Sequence, residues 1–220
     1  MTPRSPHSPR RRAATGLLLA GAWPALLAGC GASLLPKPAA PAARFTLDAP
    51  GAAAPPREGA TGAPVLVVAV PRAAPGFDST RMVYLRRAQE LEAFAFHEWV
   101  DTPARLLAPL LVRSLQDSGA FSAVLLAPSA ASGALRLETE LIRLQQDFGT
   151  RPSQVRMTLR AVLMDTTTRR VIAWREFDET APAATDDPVG GAAAAQQATQ
   201  RVLAALSAFC AAQTLRSAGG

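Results

Sequence analysis

The residues of this 220-residue chain best placed for chemistry are Leu27, Ala28, Gly29 and Cys30. Small residues directly before a cysteine, behind an apolar stretch, form a bacterial lipobox. There a signal peptide is cut and the cysteine takes lipid. Arg4, Arg10, Arg11 and Arg12 supply the positive n-region, and 13–27 supplies the short h-region. With Gly16, Gly21 and Pro24 discounted, that run falls well short of the ~20 apolar residues a spanning helix needs. The segment is therefore expected to direct export and be removed, leaving Cys30 as the first mature residue. One acyl chain binds a membrane marginally and two or more bind it stably. The expected modification, a diacylglycerol on the sulfur and an acyl chain on the amine, meets that condition. Arg10, Arg11 and Arg12 also suit a twin-arginine signal, although plain positive charge is the simpler reading. Gly31 follows the cysteine where an aspartate would favour retention at the inner membrane, so the outer membrane is the expected destination.

The rest of the chain offers little chemistry. His97 is the only histidine after Cys30, and no Cys–His spacing suits zinc. Gly-x-Ser-x-Gly is missing, and so is a phosphate-binding Walker loop. Glu138/Glu140 and Glu90/Glu92 lie two apart, as on one solvated strand face, rather than as acid–base pairs. An enzyme is thus the least expected class, and no metal or cofactor is expected beyond the covalent lipid on Cys30. Cys210 falls on the apolar face of an expected helix, where a cysteine serves as a small hydrophobe.

Composition narrows the class further. Setting aside the four arginines before Cys30, 19 basic residues face 17 acidic ones. That balance, without interleaved basic and aromatic clusters, excludes a nucleic-acid footprint. The Arg-to-Lys imbalance reflects a GC-rich genome more than chemistry. About 190 mature residues suffice for one domain.

The elements that must position any site follow from the hydropathy pattern. Residues 31–43 and 49–64 are rich in Ala, Pro and Gly and read as tether and loop, with a short strand at 44–47 between them. The run 65–70 between two prolines reads as a strand buried on both faces. Segments 82–87 and 91–96 suit a hairpin. Thr102-Pro103 opens a helix carrying Leu107, Leu110, Leu111 and Leu115, which Gly119 closes; Pro109 inside it predicts a kink or a split first turn. A strand is expected over 121–127. Residues 135–148, 154–163 and 171–180 alternate as three long strands of an antiparallel meander, with a β-bulge expected at Leu141-Ile142. A loop is expected over 181–191. A helix over 192–214 follows, with Ala195, Thr199, Val202, Leu203, Leu206, Phe209 and Cys210 on its apolar side. The fold class is α+β, a largely antiparallel sheet with two main helices on one face. The organisation is 1–29 signal peptide, 30–64 lipidated cysteine and tether with one short strand, and 65–216 folded domain.

Several exposed-looking side chains are candidate partner contacts. Trp99, just before the first helix, reads first as a core anchor. Trp174 either covers the second sheet face or meets a partner. Arg156 and Arg160 share a strand face, either solvated or aimed at lipid head groups or an acidic partner.

The order of these segments resembles a known family. A lipobox is followed by Phe45-x-Leu47, an apolar strand ending in Val70-Pro71, and the Met82-Val83-Tyr84 strand. Next come His97-Glu98-Trp99 and a helix closing at Ser118-Gly119-Ala120-Phe121, then the meander and an alanine-rich helix. Over 44–214 the chain resembles the ABC-type transport auxiliary lipoproteins, which include the Pqi-type intermembrane transport lipoproteins. The resemblance implies an accessory subunit. Its partners would be an inner-membrane ABC permease and ATPase and a periplasmic MCE-domain protein that carries lipid, docked at the outer membrane; a homo-oligomer is possible. The long Ala/Pro segments over 31–64 depart from the enterobacterial members. The alternatives are a lipoprotein that binds lipid between sheet and helices, or an outer-membrane assembly factor.

Overall fold

The computed structural model describes residues 41–48 and 62–218. The signal segment, Leu27, Ala28, Gly29 and Cys30 lie outside them. In chain order the described elements are β1 Ala43–Phe45, β2 Val65–Val68, β3 Arg72–Ala73, β4 Arg81–Leu85, β5 Leu91–Trp99 and α1 Pro103–Asp117. They continue as β6 Ala123–Leu126, β7 Leu135–Asp147, β8 Gln154–Asp165, β9 Val171–Pro182 and α2 Pro188–Ala218.

Strand β7 organises the sheet. One edge pairs antiparallel with β8 along its length, and β8 pairs antiparallel with β9. The other edge is shared by three short strands, each parallel to it. Leu66–Val68 faces Leu135–Leu137, Arg72 and Ala73 face Glu140 and Leu141, and Tyr84 and Leu85 face Gln146 and Asp147. Beyond β2 lies β6; beyond β4 lie β5 and then β1. The long pairings are antiparallel, so the sheet is α+β in the expected sense. The period-2 pattern of β8 puts Val155, Met157, Leu159, Ala161 and Leu163 inward, all buried. Pairing shifts register between Leu141 and Arg143, where the change of phase in the sequence predicts a bulge. A larger irregularity sits in β5. Val83 pairs with Ala93 but Arg81 pairs with Glu98, so residues 94–97 bulge outward against Met82 alone.

The two helices cover the inner face. Leu107, Leu110, Leu111 and Leu115 of α1 are buried, and Gly119 adopts φ +67° just beyond the helix end. Pro109 does not break α1. It is exposed, as is Arg105 one turn earlier, so the carbonyl it leaves unbonded faces water. Thr102 stands at the N-cap without a side-chain cap; its own N–H donates to Asp101 Oδ1 at 2.7 Å. The helices cross at serines: Ser114 Oγ donates to the Leu203 carbonyl at 3.2 Å, and Ser207 Oγ to the Ser114 carbonyl at 3.0 Å.

The expected loop over 181–191 is shorter than its composition suggests. Strand β9 continues to Pro182 and α2 starts at Pro188. Asp187 Oδ1 accepts the Gly190 N–H at 2.7 Å, an N-cap, and Pro188 follows it as the first helical residue. The strand expected over 121–127 contracts to β6, with Phe121 buried ahead of it. A two-residue strand, β3, interrupts the expected loop over 71–80. Among the described residues no helix is long and apolar enough to cross a membrane.

Candidate functional site

The outer face of the meander carries the sequence candidates. Alternation places Arg156, Arg160 and Val162 of β8 beside Trp174, Glu176 and Asp178 of β9, with Glu140 of β7 on the far side. Arg156 Nε donates to Asp178 Oδ1 at 2.9 Å, its Nη2 reaches Oδ2, and Thr158 Oγ1 donates to Oδ1 at 2.7 Å. The bond from Arg156, aided by the one from Thr158, holds the Asp178 carboxyl below its ordinary range against a smaller opposing effect of burial. Arg160 bridges two strands, reaching Glu140 Oε2 and Glu176 Oε2 at 3.2 Å each. Arg136 reaches Glu138 Oε1 at 3.2 Å on the same sheet. Both candidate arginines are thus engaged by carboxylates of their own sheet rather than offered as a bare cationic stripe.

Trp174 differs. Its side chain is 66% exposed, it pairs with half-buried Val162, and Val171 is 54% exposed near the start of the same strand. Among the described residues, strand β9 pairs with β8 alone. A large aromatic therefore stands in solvent on a strand with one open edge.

Trp99 is elsewhere and inward. It ends β5, is 4% exposed, and its backbone N–H donates to the Thr80 carbonyl at 2.7 Å. It presents no surface to a partner, and its role is the core anchor. His97 lies between the rings of Phe45 and Phe94, each centroid 6.1 Å away. Among the described residues no group of three His, Cys, Asp or Glu side chains could hold a metal ion. Cys210 is fully buried and burial pushes its thiol up to about 12, so it is inert as a nucleophile.

The aromatic group around the β5 bulge was not singled out in the sequence. Tyr84 and Phe94 approach to 4.4 Å between centroids, and Phe148 meets Tyr84 edge-on at 5.7 Å. Tyr84 Oη donates to Glu92 Oε2 at 2.7 Å, which together with burial raises the phenol above its ordinary value. The signal was there: Phe94, Phe96, His97 and Trp99 crowd one strand of a chain with few aromatics. The space between sheet and helices near Met82, Phe94, Trp99 and Ala195 amounts to about 10 Å³, room for no acyl chain. A wider open hollow of about 750 Å³ lies where the 127–134 segment meets Arg136 and Thr166.

An antiparallel meander backed by two helices defines an α+β domain. The chain belongs to the family of ABC-type transport auxiliary lipoprotein components, whose pattern matches residues 45–207. It is accordingly a lipoprotein associated with an ABC transport system, membrane-anchored and facing the periplasm. A crystal structure of a protein from Xanthomonas campestris is similar, with TM-score 0.70 and 23% identity over 81% of this chain and all of that one. A second, uncharacterised protein matches with TM-score 0.59 and 13% identity, over 79% of this chain and 99% of that one. These two likenesses bear on the fold. No curated protein matches the chain.

Proposed function

We propose that this protein is a non-enzymatic docking subunit of an ABC/MCE-type intermembrane lipid transport system. It is held at the outer membrane by acyl chains on Cys30. There it receives the periplasmic MCE-domain carrier that works with an inner-membrane permease and ATPase. The observation that carries the reading is Trp174. It stands 66% exposed on β9, while Arg156, Arg160, Glu176 and Asp178 of the same sheet face are ion-paired within the sheet. Tryptophan is over-represented among residues that dominate binding energy, and charge is depleted at interface centres. Membership of the auxiliary family supports the transport assignment, and the lipobox supports the anchor.

The test is affinity capture of the full-length tagged protein from detergent-solubilised envelopes. The expected co-purifying proteins are an MCE-domain protein, or the permease and ATPase. Trp174→Ala is expected to lower that capture about tenfold or more, in line with loss of a hot-spot aromatic. Unchanged capture by Trp174→Ala would move the interface elsewhere. Recovery of outer-membrane β-barrel components, or of lipid alone, would overturn the transport reading.

A further inference from the structure

We propose that the outward bulge of β5 seats the folded unit on the phospholipid surface to which the chain is anchored; this rests on the lipid anchor at Cys30. Three features meet there. The first is exposed apolar surface. Phe96, in the bulge, is 54% exposed, Leu91 at the start of β5 is 43%, and Val100 just after it is 49%. Scattered apolar side chains on a surface need no explanation, but Leu91 and Phe96 lie on one strand and Val100 directly follows it.

The second feature is where the chain arrives. Ala43 pairs with His97, and Ala42 lines a hollow of about 320 Å³ with Arg81, Phe94, Ala95 and His97. The polypeptide coming from Cys30 therefore joins the fold at the bulge itself. Only residues 31–40 separate Cys30 from Pro41. Eleven peptide links reach at most about 40 Å when fully extended. Of the sheet, this edge is the one tied directly to the anchor.

The third feature is charge. Arg44 is paired with Glu98 at 2.9 Å and Arg87 with Glu90 at 3.2 Å. Arg81 and Arg86 also stand on this side, with Glu92 as a further carboxylate. Such a mixed surface points to contact through apolar side chains at the boundary of head groups and acyl chains. Such contact does not depend on anionic lipid. Trp174 lies on β9, at the other side of the sheet, with β8, β7 and β4 between it and β5. Seating by β5 thus leaves Trp174 away from the membrane.

The experiment uses the full-length lipidated protein in vesicles carrying doxyl quenchers near the acyl carbonyls. Single cysteines, Phe96→Cys, Leu91→Cys and Trp174→Cys, are labelled with an environment-sensitive fluorophore; Cys210 is buried and stays unlabelled. Far-UV circular dichroism checks that each variant is folded. Labels at 96 and 91 are expected to lose about half their emission to the quencher, and the label at 174 to lose almost none, as interfacial insertion requires. The quenching should be equal in pure phosphatidylcholine and in mixtures with phosphatidylglycerol. Labels at 96 and 91 that remain unquenched on floating vesicles overturn the seating and leave the anchor standing. A blue-shifted but unquenched label overturns it in favour of a second copy or another protein on the bulge. Protein that fails to float with the vesicles overturns the anchor, and the seating with it.

Discussion

Asp178 takes hydrogen bonds from the Arg156 guanidinium and the Thr158 hydroxyl, and its carboxyl titrates below the ordinary range as a result. Asp165, held by the Thr168 N–H and hydroxyl, behaves the same way, as do Asp186, bonded by the Ser153 N–H, and Asp187, bonded by the Gly190 N–H. The sign of the linkage is common to all four. A carboxyl whose folded value lies below its unfolded one contributes stability above the unfolded value, and that contribution disappears as pH falls through the folded value. The denaturation midpoint should therefore be flat from neutral pH to about 5 and fall progressively below that, where aspartates of the unfolded chain begin to protonate. The Arg156 and Asp178 side chains are 46% and 38% exposed, so solvent screens the pair. Asp178→Asn should cost less than about 1 kcal/mol at pH 7 and make the acid decline shallower. Urea midpoints at pH 7, 5 and 3 for both proteins check this; an unchanged acid slope would assign the decline to other groups.

At the scale of elements, the start of α2 is where packing overrides composition. Gly190 and Gly191 in sequence signal a break, yet both are buried in the first turn of a helix. A Cβ on Gly190 would run into the Thr185 backbone, and one on Gly191 into the Gln146 amide. That amide is itself tied down, its Nε2 donating to Ser153 Oγ at 2.9 Å. Gly190→Ala gains helix propensity, worth up to about 1 kcal/mol, but must displace backbone. The net expectation is a loss of about 1–3 kcal/mol, read as a lower urea midpoint. A rise would mean the 183–187 segment yields. The same helix shows what the sequence discloses and what it conceals. The inward alternation of β8 and the leucines of α1 are periodic, so each could be placed from sequence alone. The Asp187-Pro188 helix start sits inside a run of Pro, Asp and Gly that reads as a loop over 181–191, so the expected boundary lies inward at 192. The β5 bulge had no local mark. It lies where β1 pairs with one end of β5 while β4 pairs with both, a tertiary arrangement invisible to periodicity. Nor could sequence decide that Arg156 and Arg160 are engaged by Asp178, Glu140 and Glu176, because their cross-strand register is set by the turns that close the meander.

For the whole molecule, the decisive fact is that β7 is shared. Its residues pair with β2, β3 and β4 on one edge and with β8 along the other. The bulge side, with β4, β5 and β1, and the Trp174 side, with β8 and β9, therefore have no separate sheets to retreat into. Both also draw on one core: Trp99 and Met82 belong to the same buried cluster as Met157, Leu159, Val202 and Cys210. Seating at one edge and docking at the other would then be fixed relative to each other by a continuous sheet rather than by a hinge. Unfolding tests that rigidity directly, since two probes lie on opposite sides of β7. In Trp174→Phe of the chain beginning at Cys30, which lacks Trp23, Trp99 fluorescence reports the β5 side. The thiol of Cys210, on the buried face of α2, reports the other side through its reaction with an aromatic disulfide reagent during short pulses. If the sheet is one cooperative unit, the urea midpoints of tryptophan emission and thiol exposure coincide, as a two-state domain requires. Thiol exposure at lower urea than the fluorescence change would show α2 and the meander opening first, and the two edges would then be mechanically independent surfaces.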